Sequence, residues 1–351
     1  MQKKQFKQGT KFYLFIVLGI VWICILAGLM VLQNIPPEIK DDPTLKTLAW
    51  IQRDINNQEP ITPLPNPSGL DSDKIALGFK LFKDPILSHD NSIACTDCHD
   101  LQHGGADHVK FSFGINHAVG RRNTPTVFNS GFNYRQFWDG RASTLEEQID
   151  GPILNPLEMG SSWKEMLIKL NASKYYAEQF QRIYGSKKVT ADNVRDAIAT
   201  FERSLVMTNS RFDKWLKGDS NALSTREKEG YRLFKSYGCS SCHQGVNIGG
   251  NMFERIGVFR DYYEEKSENV SDMGRFEITG LEDSRHEFKV PSLRNVTLTK
   301  PYFHDGSVET LHDAIDIMAI HQLGVKLSNS EIETIEDFLN SLVGEMPEAL
   351  K

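Results

Sequence analysis

Two short stretches of this 351-residue chain place cysteine and histidine at a spacing with a narrow chemical meaning. They read "ACTDCHD" (residues 94–100) and "GCSSCHQG" (residues 238–245). Both contain Cys-x-x-Cys-His, in which two thiols attach one c-type haem and the adjacent histidine ligates its iron. The sequence therefore predicts two covalently bound haem c groups. Their attachment residues are Cys95, Cys98 and His99, and Cys239, Cys242 and His243.

Other uses of paired cysteines fit this chain less well. The fifth cysteine, Cys24, lies in an apolar segment, so no further cysteine remains after it for a disulfide framework. Zinc could be held by the four thiolates of the two pairs, and a redox dithiol needs only Cys-x-x-Cys. Either use would leave both adjacent histidines as coincidences. Haem attachment is favoured, with a metal site or redox dithiols as the alternatives.

The elements that position these motifs must come from a globular body. Residues are 40% apolar and 25% charged, which is typical of globular proteins, and the length allows two domains. The formal net charge of −6 does not indicate nucleic-acid binding, which calls for a basic face. Nucleic acid is therefore not an expected partner.

The first 32 residues differ from the rest of the chain. Residues 13–32 are apolar and uncharged, and their length suits a membrane-spanning helix better than the shorter core of a signal peptide. Lysines in residues 1–12 place that segment in the cytoplasm by the positive-inside rule. We expect an uncleaved membrane anchor, with a long signal peptide as the alternative. In both cases the body is exported.

A proline-rich linker is predicted over residues 33–66, and the chain then repeats itself. "SDKIALGFKLF" (residues 72–82) matches "STREKEGYRLF" (residues 224–234), each just before a haem motif. The pattern predicts an amphipathic helix in each copy, and Ser224 with Glu227 forms a capping box in the second.

A second repeat follows each haem motif. "PTVFN" and "FWDGRASTLEEQI" in the first half match "PSLRN" and "FHDGSVETLHDAI" in the second. Both copies begin a helix with threonine and an acid three residues later, at Thr144 and Thr310. Alternating strand patterns are scarce. The expected fold is mainly α, with two tandem cytochrome c-like domains over residues 67–210 and 211–351.

The two copies differ where the open face of a haem would lie. Trp138 stands opposite His304, Glu158 opposite Gly324, and Pro152 opposite Met318. A sixth iron ligand closes a haem for electron storage, whereas a missing one leaves room for a small molecule. Spacing alone is also compatible with Met318 as a core methionine, Glu158 as a solvated carboxylate and Trp138 as a core aromatic. The recurring Asp139 and Asp305 are interpreted as turn-forming residues.

Taken together, the motifs resemble those of the bacterial di-haem cytochrome c peroxidase family. The resemblance covers roughly residues 70–325 and includes both haem motifs, "RNTPTVFN", "QFWDGRASTLEEQ", "GPILNPLEM", "VPSLRN" and "PYFHDGS". It implies a periplasmic enzyme that reduces hydrogen peroxide with electrons from a small c-type cytochrome or a similar donor. Members of the family are commonly dimeric, which makes a homodimer possible.

The resemblance also implies residue roles. The C-terminal haem would store an electron with Met318 as its second ligand, and the N-terminal haem would react with peroxide. His117 would be a removable sixth ligand of the N-terminal haem. Glu158 would move protons with the support of Gln148, and Trp138 would lie between the haems. A calcium ion would bind the Asn123 side chain and the carbonyls of Thr299 and Pro301.

One departure from the family keeps the N-terminal haem's state open. The segment "HAVGRRN" (residues 117–123) is shorter than in members whose loop switches, so this haem could be permanently open. The alternatives to a peroxidase are a non-enzymatic di-haem electron carrier and a maturase-like di-haem oxidase. The maturase branch carries tyrosine where Met318 stands, which favours the peroxidase. A haem-based sensor would need an output partner that the chain does not show.

Overall fold

The computed structural model describes residues 59–186, 188–264 and 272–351. The apolar stretch 13–32 and most of the predicted linker therefore lie outside the described residues. Within these ranges, no helix has both the length and the apolar character needed to cross a membrane.

The described part of the chain is mainly helical, as the sequence predicts. A two-stranded antiparallel sheet, β1 (Phe253–Arg255) and β2 (Glu287–Lys289), accounts for its named strands. The α-helices are α1 (Ser72–Phe82), α2 (Cys95–Cys98), α3 (Leu145–Leu154), α4 (Trp163–Ala172), α5 (Lys174–Tyr184), α6 (Ala191–Ser204), α7 (Arg211–Leu216), α8 (Thr225–Ser236), α9 (Phe276–Thr279), α10 (Leu311–Ile317) and α11 (Asn329–Asn340).

The predicted helix starts are confirmed. Ser224 and Glu227 form a reciprocal capping box at the start of α8. The hydroxyls of Thr144 and Thr310 accept the backbone N–H three residues on, at the starts of α3 and α10. Each cap satisfies a backbone donor that the first helical turn leaves free. Local sequence therefore fixes where the helices flanking each haem motif begin.

Two large apolar cores lie in the unit Pro60–Lys351, together with a smaller apolar cluster against which Trp138 and Met318 pack. The first core is formed mainly by α1, α3, α4, α5 and α6. The second is formed mainly by α7, α8 and α11. Each haem motif follows directly after one helix of its own core, since α1 precedes Cys95 and α8 precedes Cys239.

The two cores repeat one helix crossing. Where α1 crosses α6, a Cβ on Gly78 would collide with the carbonyl oxygen of Ala197. Where α8 crosses α11, a Cβ on Gly230 would collide with the carbonyl oxygen of Thr334. Glycine is required at both positions because the helix backbones approach too closely for any side chain. The duplication read from the sequence thus extends to packing geometry.

The chain before α1 is anchored to the second core. The buried side chain of Ile61 belongs to that core, and the Leu64 N–H donates to Asp213 Oδ1 at 3.2 Å. Arg294 Nη2 donates to the carbonyl oxygen of Thr62 at 3.0 Å and pairs with Asp213, both side chains being fully buried. The ion pair is compensated by these added hydrogen bonds, which a buried pair needs.

The segment after α11 follows the second core in the chain but contacts the first core. Met346 and Leu350 pack against the first core. The Gly344 N–H donates to Asn295 Oδ1 at 3.0 Å, and the Glu345 N–H donates to the carbonyl oxygen of Thr208 at 2.7 Å. Segments from both ends therefore tie the two cores together.

Candidate functional site

The first haem motif lines a cavity of about 900 Å³. Cys95, Cys98 and His99 all face it, and the carboxylate of Asp97 accepts the Ala94 N–H at 2.7 Å where α2 begins. His99 Nδ1–H donates to the carbonyl oxygen of Gly105 at 3.1 Å. This bond leaves Nε2 as the free nitrogen, the arrangement that orients a metal-ligating histidine.

Burial keeps the groups of this motif uncharged. It lowers the pKa of His99, so the imidazole is neutral and able to ligate iron. It raises the pKa of Cys95 and raises that of Cys98 to about 11. Thiolate metal ligands need the opposite shift, toward an ionised sulfur. The environment therefore suits thioether attachment of a haem.

The second haem motif lines a separate, narrower cleft of about 210 Å³. Cys239, Cys242 and His243 face it, and His243 Nδ1–H points to the carbonyl oxygen of Ile248 at 3.4 Å. Burial lowers the pKa of His243 to about 4. Among the described residues, no group of three or more His, Cys, Asp or Glu is arranged to hold a metal ion. The two cysteine pairs line different cavities, which argues against a four-thiolate zinc site.

Positions related by the internal repeat carry different residues in the two cavities. Met318 follows α10, opens a π-helical turn (Met318–Gln322) and lines the second cleft. Its counterpart 166 residues earlier, Pro152, lies inside α3 and lines the first cavity. A thioether can ligate haem iron and a pyrrolidine ring cannot. The structure therefore places a possible sixth ligand in the second cleft and a non-ligating residue in the first.

Glu158 and Gln148 line the first cavity together with Pro152. Burial raises the pKa of Glu158, while a 2.6 Å hydrogen bond from Asn155 Nδ2 to Glu158 Oε1 opposes this shift. A carboxyl whose pKa is raised in this way is suited to take up and release a proton during a reaction. The structure thus places the predicted proton-moving residue in the same cavity as His99.

Asn155 holds Glu158 in place, and the sequence reasoning missed it. Its Oδ1 accepts the Leu157 N–H at 3.0 Å, and its carbonyl oxygen accepts the Glu158 N–H at 3.0 Å. The turn therefore fixes the backbone of Glu158 while the amide holds its carboxyl. The signal was the Asn-Pro pair after a helix, which is typical of a turn but says nothing about the carboxylate.

His117 does not line the first cavity in this structure. It is exposed at the tip of a loop whose base is closed by the Gly114 N–H donating to the Ala118 carbonyl at 2.8 Å. The Ile115 N–H donates to the Glu158 carbonyl at 2.8 Å, and a Cβ on Gly114 would lie 2.5 Å from that same oxygen. The loop thus packs on the backbone of Glu158, while the side chain of His117 is exposed to solvent.

Trp138 connects the two cavities. Of the residues that the structure describes, Trp138 alone lines both. Its Nε1–H donates to the Asn123 carbonyl at 2.9 Å, and its own carbonyl accepts the Lys289 N–H at 2.7 Å. Its ring centroid lies 6.4 Å from that of His304 in an edge-on arrangement. The indole is therefore held in place by hydrogen bonding where the two cavities adjoin.

An ion-pair cluster in the first cavity was also missed. Asp139 accepts the Arg141 N–H at 3.0 Å, which confirms its predicted turn-forming role. The same carboxylate also pairs with Arg122 and Arg141, and Arg122 pairs with Asp272 at 2.6 Å. The Arg122 guanidinium also pairs with Glu277 at 3.2 Å, so protein carboxylates surround it at the wall of this cavity. Arg122 and Asp272 are 150 positions apart in the chain, so no local sequence pattern indicates this contact.

The residues predicted to bind calcium belong to adjacent segments. The Asn123 N–H donates to the His304 carbonyl at 2.8 Å, which brings Asn123 beside the segment that follows Thr299 and Pro301. The Asn123 Nδ2 donates to the Val109 carbonyl at 3.0 Å. Amide and carbonyl oxygens are ligands that calcium accepts.

Comparison with known proteins gives consistent matches. A model of the family described as "Di-haem cytochrome c peroxidase" matches residues 72–221. The chain is 43% identical to the cytochrome c peroxidase of Escherichia coli (strain K12), over 88% of this chain and 68% of that protein. It is 46% identical to the cytochrome c551 peroxidase of Nitrosomonas europaea, over 83% of this chain and 86% of that protein.

A solved structure shares this architecture. It is described as a MauG-like protein associated with microbial copper homeostasis, and it matches with a TM-score of 0.71 and 28% identity. The alignment covers 82% of this chain and 94% of that one.

Proposed function

Because this chain belongs to the di-haem cytochrome c peroxidase family and is a peroxidase, we propose a division of labour between its two haem sites. Peroxide reacts in the first cavity, and electrons enter through the second cleft. The observation that carries this proposal is the unlike lining of the two cavities, Glu158 and Pro152 in one and Met318 in the other. The peroxidatic site belongs to residues 67–210 and the electron-transfer site to residues 211–351.

The haems supply the redox chemistry, and the chain supplies ligands and proton transfer. His99 and His243 offer one free imidazole nitrogen each to an iron. Glu158 accepts a proton from the bound peroxide and returns it to the oxygen that leaves as water. The whole reaction consumes one hydrogen peroxide, two electrons and two protons and yields two water molecules. Gln148 orients the peroxide beside that carboxylate.

Electrons cross between the sites through Trp138 in this proposal. Its hydrogen bonds at both ends fix the indole between the two cavities, so little reorganisation accompanies electron transfer. The electron donor is proposed to be a small c-type cytochrome or a similar periplasmic protein. The exported body would be held at the inner membrane by residues 13–32, with residues 1–12 in the cytoplasm. Recovery of the protein in the soluble periplasmic fraction would instead indicate cleavage.

The experiment that tests this function starts from the fully oxidised protein carrying both haems. Peroxide-dependent oxidation of a reduced small cytochrome c is measured before and after one electron is added. Since His117 is exposed, we expect turnover from the fully oxidised state. Turnover only after the added electron would show that the His117 loop closes on the oxidised haem. No turnover, with both irons six-coordinate, would make the protein an electron carrier.

The bond between Asn155 and Glu158 gives a prediction for the pH dependence of turnover. The bond lowers the pKa of Glu158 against the effect of burial, so Asn155→Ala is expected to raise it. The reaction begins with the carboxylate, so the acidic limb of the kcat/KM profile moves to higher pH. A hydrogen bond to a charged group is worth about 1.5–3 kcal/mol, which corresponds to a shift of about one to two pH units.

Asn171→Ala is the matched control, because Asn171 bonds only backbone atoms and lines neither cavity. Its pH profile should match that of the unaltered protein. An acidic limb that stays in place in Asn155→Ala would show that Glu158 does not control it.

Calcium binding is proposed at Asn123, Thr299 and Pro301, with water completing a shell of about 6–8 oxygens. The adjacency of these segments to each other and to Trp138 supports the site. Removal of calcium by a chelator should slow inter-haem electron transfer, and added calcium should restore it. Metal analysis of dialysed protein checks whether calcium is bound. An unchanged rate of inter-haem electron transfer after chelation would contradict the proposal.

A further inference from the structure

A second buried carboxyl faces the first cavity, from helix α6. Glu202 is 5% exposed and lines the cavity that also contains His99 and Glu158. Its Oε2 is buried and has no hydrogen-bond partner. Burying an unpaired carboxyl costs free energy, whereas burying a hydrocarbon of similar size is favourable. A glutamate at this position is therefore not explained by packing.

The other half of the molecule shows what packing alone would require. The crossings of α1 with α6 and of α8 with α11 match residue by residue, since Thr334 and Phe338 take the places of Ala197 and Phe201. Each member of these pairs lies 137 residues after its counterpart. In the same register, Leu339 takes the place of Glu202.

Leu339 lines the second cleft, as Glu202 lines the first. It is buried in the second core, where an apolar side chain satisfies the position. The first half thus carries an ionisable group at the wall of its cavity, where the second half carries a leucine. This difference accompanies the other differences between the two cavities, Pro152 for Met318 and Glu158 for Gly324.

The charged groups around Glu202 leave its own charge uncompensated. Burial raises the pKa of Glu202 to about 8, Arg203 lowers it and Glu146 raises it. Arg203 is already paired with Glu146 at 2.7 Å. On the elements that pack against α6, Lys74 is paired with Asp196 and Lys351 with Glu348. After burial, the charge of Glu202 is the next largest cause of the raised pKa of the Cys95 thiol, to which a haem would be attached.

We propose that Glu202 takes up the proton that accompanies one-electron reduction of the N-terminal haem. An added electron makes the cavity more negative, which favours the neutral carboxyl over the carboxylate. The carboxylate is more populated in the oxidised state than in the reduced state, and its charge lowers the haem's reduction potential. In the coupled step the donor gives one electron to the iron, and solvent gives one proton to the Glu202 carboxylate; no other bond changes.

This inference depends on the proposed function only in that the first cavity holds a c-type haem. It assigns Glu202 a different task from Glu158, which handles the protons of peroxide. Glu202 acts on the haem electrostatically, through the charge of its carboxylate. It therefore needs no contact with peroxide. Its effect must therefore be visible when no peroxide is present.

The test is the reduction potential of the N-terminal haem as a function of pH, in the full chain with both haems attached. Spectroelectrochemical titration from pH 5 to pH 9.5 needs no peroxide and no donor protein. In the unaltered protein the potential should fall as the pH rises, by up to about 59 mV for each tenfold change in proton concentration. In Glu202→Gln the potential should be higher at alkaline pH and should depend on pH much less than in the unaltered protein.

Glu158→Gln is the matched control, because it removes the other carboxyl of the same cavity whose pKa burial raises. It should keep the pH dependence of the potential. Glu202→Leu, which introduces the residue of the second half, should likewise reduce that dependence and provides a second test if Glu202→Gln folds poorly. The potential of the C-terminal haem should stay constant in both Glu202 variants.

Two results would overturn the inference. One is a pH dependence that persists undiminished in both Glu202 variants, and the other is a dependence that disappears in Glu158→Gln alone. Either result leaves the peroxidase proposal intact, because each of these measurements requires that both haems are attached and can be reduced. Failure to attach a haem at Cys95 and Cys98 in the unaltered protein would instead refute the proposed site itself.

Discussion

Replacing Glu158 by glutamine is expected to lower peroxide turnover by about 10²–10⁴-fold, the usual contribution of a positioned acid or base. Glutamine keeps the size of the side chain and can still bond Asn155, but it cannot accept a proton from peroxide. Both haems should remain attached, since Glu158 is not part of either attachment motif. Steady-state turnover together with a haem stain or mass measurement checks both statements.

The pH profile gives this prediction a second readout. Burial raises the pKa of Glu158, so the carboxylate is present only above that pKa and turnover should rise as the pH rises through it. The acidic limb should therefore be absent from the residual activity of Glu158→Gln. Glu165→Gln is a suitable control, because Glu165 pairs with His89 and lines neither cavity. Near-normal turnover of Glu158→Gln would show that the carboxylate does not move the proton.

Local sequence was sufficient wherever neighbouring residues act together. Each haem motif is five contiguous residues, and the helix caps at Ser224 and Thr144 depend on a partner three residues away. The internal repeat predicted an amphipathic helix before each haem motif, which α1 and α8 confirm. These features depend on hydrogen bonds or steric limits within one or two helical turns.

Contacts between distant segments were not readable from the sequence. The pairing of Arg122 with Asp272 joins residues far apart in the chain, and nothing in either local pattern indicates the other. The outward position of His117 depends on the docking of its loop on the backbone of Glu158. The unpaired state of Glu202 depends on which charges are already paired around it. Such features emerge only once packing is known.

Replacing Met318 by leucine is expected to lower the reduction potential of the C-terminal haem. The thioether of Met318 lines the same cleft as His243, and His/Met ligation raises the potential of a haem. Methionine and leucine have similar volumes, so the exchange should cost less than about 1.5 kcal/mol of stability. Each loss of about 59 mV makes reduction by the donor tenfold less favourable. Turnover with a reduced cytochrome should therefore fall at least tenfold.

Met166→Leu is the matched control, because Met166 is fully buried in the first core and lines neither cavity. It should leave both potentials and turnover unchanged. If Met318→Leu also kept the potential of the C-terminal haem, Met318 would be a core methionine and that iron would have another ligand or none. The contrast between Met318 and Pro152 would then no longer distinguish the two cavities, and the division into a storage site and a reactive site would lose its structural basis. A fall in the potential of the C-terminal haem alone would instead show that this one side chain separates two sites built from the same repeat.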